Sequence, residues 1–122
     1  MPYNWGPRYL VPSDVIKVYS GAVQLREELD EDLLQKELEE MGISGPVVKI
    51  ENPWYFRRKG TETWIKIGES SDKAQNFPVR WDTARLKNGQ YEILGLMHVF
   101  VRENGGETAI ARENVVDVMV NN

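Results

Sequence analysis

Asn88-Gly89-Gln90-Tyr91-Glu92-Ile93-Leu94-Gly95-Leu96-Met97-His98-Val99-Phe100-Val101-Arg102-Glu103-Asn104-Gly105-Gly106 decides the fold class of this chain. Tyr91, Ile93, Gly95, Met97, Val99 and Val101 alternate with Leu94, Leu96, His98 and Phe100, the period of a β-strand. Asn88-Gly89 opens the run and Asn104-Gly105-Gly106 closes it, both pairs that supply the positive φ of a hairpin turn. The spacing predicts a long strand over 91–101, with the chain turning back into Thr108–Ala111 and Val115–Val120. Glu113-Asn114 interrupts that last strand and is read as a bulge.

Upstream, the same period predicts strands at Val47–Glu51, Trp54–Arg58 and Thr63–Ile67, then a polar loop over 69–76. Phe77, Val79 and Trp81 alternate around Pro78, which suits an edge strand. Short strands with regular turns and no helix between them give a mainly β domain over 46–122, a sandwich or a barrel. Its expected core includes Trp64, Phe77, Trp81, Tyr91 and Ile93.

Residues 1–45 differ. Leu29, Leu33, Leu34, Leu38 and Met41 follow helical spacing, with Asp30 as N-cap and Gly42 as the closing glycine. Acidic residues crowd this helix, so residues 1–45 carry four Lys/Arg against nine Asp/Glu, while 46–122 carry eleven against ten. Before it, Ser13-Asp14 fits as the cap of a short helix through Val15, Ile16 and Tyr19 that Gly21 stops, a strand fits the β-branched residues there nearly as well, and Val15–Leu25 is a source for a further strand of the β-domain. Pro2, Pro7 and Pro12 predict an extended arm. Tyr3, Trp5, Tyr9 and Leu10 in that arm are the candidate partner-binding residues, although the arm's aromatics could equally tuck onto their own domain.

The composition narrows the chemistry. The 122 residues include no cysteine and one histidine, which removes thiolate metal sites, disulfides and any site needing two imidazoles. No apolar run is long enough to span a membrane. The net charge of −4 argues against a nucleic-acid partner. His98 lies mid-strand beside Leu96 and Phe100, as a structural histidine does. Arg57-Arg58-Lys59 reads as a solvated turn rather than a phosphate site. No catalytic, cofactor-binding or metal-binding residue is expected.

Trp54-Tyr55-Phe56 through Gly60, then Trp64 and Ile67-Gly68, resembles a strand pair of bacterial immunoglobulin-like domains. Trp81-Asp82-Thr83, followed by Asn88-Gly89 and Tyr91, resembles the next signature of that family, and Val116–Asn122 its final strand. The resemblance covers about residues 54–122 and implies an immunoglobulin-like β-sandwich carrying an N-terminal arm and an acidic helix that the family pattern lacks. The expected function is a non-catalytic structural or interaction protein. A start at Met1 without a secretory signal suggests a virion component made in the host cytoplasm, a capsid-decoration or head/tail protein of a bacteriophage. Its partners would then be capsid or tail proteins or further copies of itself. A binding or spacer module of a bacterial cell-surface or carbohydrate-acting protein is the alternative.

Overall fold

A computed structural model describes residues 18–122. In chain order they form β1 (Val18–Tyr19), β2 (Ala22–Leu25), α1 (Glu31–Glu40), β3 (Val47–Arg58), β4 (Ile65–Ser70), β5 (Val79–Asp82), β6 (Gly89–Glu103) and β7 (Gly106–Val120). The described chain is mainly β. A five-stranded sheet runs in the order β1-β7-β6-β3-β4, with β1 parallel to β7 and every other pairing antiparallel. β2 and β5 form a separate antiparallel pair.

The hairpin β6–β7 is the spine. Asn104 and Gly105 both take positive φ, 50° and 80°, as a two-residue hairpin turn requires. Pairing then runs in one unbroken register from Glu103 opposite Gly106 to Gly89 opposite Val120. The bulge expected at Glu113-Asn114 is therefore absent. Arg112 and Asn114 keep the inward phase of Ile110, Val118 and Val120, and their polarity alone made the alternation look broken.

Two strands expected at Val47–Glu51 and Trp54–Arg58 are one strand, β3. Its partners on β6 skip Asn52 and Pro53 and resume at Trp54 in the same register, because proline donates no ladder bond. The next strand begins at Ile65 rather than Thr63, since the turn after Arg58 is longer than expected. Thr61 closes that turn, donating both its N–H and its hydroxyl to the Arg58 carbonyl. Within the expected loop over 69–76, β4 continues to Ser70 and Lys73–Gln75 form a short 3-10 turn.

Helix α1 is capped as the sequence predicts. The Asp30 carboxylate accepts from the Leu33 N–H at 3.1 Å, and Gly42 takes φ +75°. Ile43 and Gly42 then donate to the Leu38 and Glu39 carbonyls, a Schellman closure. Val15–Leu25, open between helix and strand in the sequence, contributes β1 and β2 in its described part.

The inner face of the large sheet carries two apolar clusters. The β2–β5 pair covers one, where Leu25 and Trp81 meet Tyr19, Trp54, Tyr91, Ile93, Val118 and Val120. Helix α1 covers the other, where Leu34 and Leu38 meet Phe77, Met97, Val99, Val101 and Ile110. The leucine stripe of the helix thus has its partner within the chain. Residues 18–45 supply side chains to both clusters, so a boundary after residue 45 has core on either side of it. Of the expected core, Phe77, Trp81, Tyr91 and Ile93 are buried. Trp64 is not: it lies outside β4, half-buried, with the Arg57 guanidinium 4.0 Å from its ring centre.

Candidate interaction surface

The residues most able to do chemistry are inside the molecule. Glu27, just beyond β2, points into the core and meets Arg112 of β7 at 3.0 Å, and neither side chain is more than 1 % exposed. Arg112 also donates to the Glu28 carbonyl at 3.0 Å, and the Glu27 N–H donates to the Asn76 carbonyl at 2.9 Å. Asn52 of β3 and Asn114 of β7 are buried beside the pair. The register shows where this group sits. Asn114 pairs with Gly95 and Arg112 with Met97, so the polar layer falls where one apolar cluster gives way to the other. Burial pushes the Glu27 carboxyl above its ordinary value, while Arg112 and the Asn114 and Asn52 amides pull it down. Sequence reading had no signal for this pair except an arginine at an inward position of a strand.

The polar groups that the sequence singled out lie at or near the surface. His98 is half-buried, its ring centre 6.3 Å from that of Phe100, and its cross-strand neighbours are Glu51 and Ala111. In the basic triplet, Arg57 bonds Glu92 at 2.9 Å, Arg58 lies 5.9 Å from the Tyr91 ring centre and Lys59 bonds Asp117 at 2.9 Å. Among the described residues no cluster of His, Asp and Glu could hold a metal ion. A shallow groove of about 520 Å³ runs between the start of α1 and β3, with Leu29, Leu34, Val48 and Ile50 on its walls and Glu31 paired to Lys73 at its rim.

The outer face of the sheet is different in kind. Val18, Val115 and Met119 are 56 %, 45 % and 37 % exposed. Val18 is the cross-strand neighbour of Met119, and Val115 stands on the same side of β7 four residues away. Asp117 lies between the two β7 residues, held by Lys59. Large apolar side chains grouped on a face in this way mark contact surfaces more often than isolated ones do. The arm residues Tyr3, Trp5, Tyr9 and Leu10 lie outside the described residues.

Two corners of the fold are tied by side chains that the sequence singled out. The Tyr91 hydroxyl donates to the Lys87 carbonyl at 2.7 Å. Asp82 accepts from the Ala84 N–H at 3.0 Å, and the Thr83 hydroxyl donates to the Gly21 carbonyl at 2.7 Å.

Compared with family models, with curated proteins and with solved structures, the chain matches none.

Proposed function

We propose that this chain is a non-catalytic structural and interaction protein, an immunoglobulin-like sandwich held to other protein chains through its surface. One observation carries the reading. The buried acid–base pair Glu27–Arg112 is locked between the two apolar clusters, where no substrate reaches it, while Val18, Val115 and Met119 stay in solvent together. The immunoglobulin-like part is supported by the Tyr91–Lys87 bond, which has the form of the corner tyrosine in such sandwiches. The setting we favour is a virion, where the chain would decorate a capsid or join a head or tail. Repetition around a symmetric particle would let weak single contacts add.

Sedimentation of native extracts tests this. The protein is expected in an assembly much larger than its own 14.1 kDa. Val115→Asp with Met119→Asp should return it to the monomer while its melting temperature holds. A wild-type chain that sediments as a monomer would sink the reading.

A further inference from the structure

Two Asn-Gly pairs bracket β6, Asn88-Gly89 where it begins and Asn104-Gly105 at the turn into β7. An asparagine followed by glycine loses its side-chain amide more readily than other asparagines do. Glycine has no Cβ to keep its backbone nitrogen away from the asparagine side-chain carbon. Both asparagines are exposed, so neither sequence nor exposure tells them apart. Their hydrogen bonds do.

Asn88 is held at the groups that this reaction needs free. Its Oδ1 accepts from the Asn122 N–H at 2.8 Å, and its Nδ2 donates to Asn121 Oδ1 at 3.2 Å. Asn122 is itself anchored. Its Oδ1 accepts from the Gly21 N–H at 3.0 Å, and its Nδ2 donates to the Thr83 carbonyl at 2.7 Å. The nitrogen that would attack is tied as well. The Lys59 N–H donates to the Gln90 carbonyl, so even positions of β6 face β3 and odd positions face β7. The Gly89 N–H is therefore spent on Val120, its partner in the register.

Asn104 has none of these restraints. Among the described residues its side-chain amide forms no hydrogen bond, and the Gly105 N–H meets no acceptor. The two residues make up the whole turn, which is closed by the pairing of Glu103 with Gly106. A hairpin tip of this kind opens at small cost, whereas opening the Asn88 corner breaks the bonds to Asn121, Asn122 and Val120 together.

We propose that Asn104 is a site of spontaneous deamidation in the folded chain, while Asn88, which carries the same sequence signal, is protected by its hydrogen bonds. The Gly105 nitrogen gives its proton to solvent base and attacks Asn104 Cγ. A new C–N bond closes a five-membered succinimide. The bond from Cγ to Nδ2 breaks, and that nitrogen takes up a proton from water and leaves as ammonia. Water then opens the ring at one of its two carbonyl carbons, giving aspartate or isoaspartate. No electrons are exchanged with an oxidant or reductant. Either product places a carboxylate between Glu103 and Glu107. Isoaspartate also routes the backbone through Cβ and lengthens the turn. The change stays at the hairpin end, since the second apolar cluster reaches only Val101 and Ile110.

The full chain, kept folded at mildly alkaline pH, tests this. Peptide mass spectrometry reads the change from amide to acid at each asparagine, and enzymatic methylation of isoaspartate reads the rearranged product. Asn104 should convert at least tenfold faster than Asn88, with isoaspartate among its products. In urea the hydrogen bonds of Asn88 are gone, and the ratio of the two rates should fall toward one. Asn104→Gln would have to close a larger ring, and it should remove most of the acid that the folded chain gains.

Equal conversion of the two asparagines in the folded chain would overturn the proposal. So would conversion of Asn88 ahead of Asn104, since its corner would then be open in solution. If neither converts in the folded chain over a period that converts both in urea, the hairpin tip holds itself shut and the proposal falls.

Discussion

The Glu27 carboxylate meets the Arg112 guanidinium at 3.0 Å between the two halves of the core, with Asn52 and Asn114 beside them. The pair ties the segment after β2 to the last strand of the large sheet. Removing one partner leaves an uncompensated buried charge. Arg112→Met should therefore cost about 3–5 kcal/mol in urea unfolding, and the added change Glu27→Leu should recover much of that. A single-variant loss below about 1 kcal/mol, the scale of a surface change, would mean the pair is not closed in solution.

The same carboxyl makes a prediction about pH. Burial raises its folded value above the ordinary 4.5, so the native state holds the proton more tightly than the unfolded chain does. Its contribution is full below the unfolded value and is lost as pH rises through the folded one. The melting temperature of the wild type minus that of Glu27→Gln should thus fall as pH rises from 4.5. A difference that grows over the same interval would show Arg112 winning over burial.

Two of the three tryptophans of the β-domain, Trp64 and Trp81, should part company. Trp81, 3 % exposed and edge-on to Tyr19 and Tyr91, fills the first apolar cluster. Trp81→Ala should cost about 3–5 kcal/mol. Half-buried Trp64 holds mainly its contact with Arg57, and Trp64→Ala should cost about 1 kcal/mol or less. Equal losses would place Trp64 in the core after all.

A chain of residues 46–122 alone should fail to melt cooperatively. It lacks Tyr19 and Leu25 from the first cluster, Leu34 and Leu38 from the second, and the carboxylate that faces Arg112. A cooperative melt by circular dichroism would show that the large sheet closes its core unaided.

Sequence reading reached the parts where neighbours along the chain decide the structure. The Asn104-Gly105 turn, the caps of α1 and the inward set from Tyr91 to Val101 all depend on local conformation or period. It failed where the deciding partner is remote. Trp64 looked like core because it is large and apolar, yet the turn after Arg58 leaves it outside the strand. Arg112 and Asn114 looked like a break because nothing nearby announces that Glu27 comes to meet them. Residues 18–25 gave no clue that they would divide themselves between two sheets, since β1 takes its partner from the end of β7 and β2 from β5, in the middle of the β-domain. For the proposed contact surface, Val115 and Met119 were legible only as members of a strand. Which face of that strand is left to solvent depends on what β2, β5 and α1 cover.

The parallel pairing of β1 with β7 also sets an order of events at the ribosome. Tyr19 leaves the exit tunnel about a hundred residues ahead of its strand partner Val120. Domains form as units once their parts have emerged, and contacts between distant residues come late. Tyr19, Leu25 and Glu27 must therefore wait, uncovered, until β7 has been made. A premature stop near Asn104 would leave them without β7, and such a fragment should be a substrate for chaperones and proteases rather than a smaller working protein.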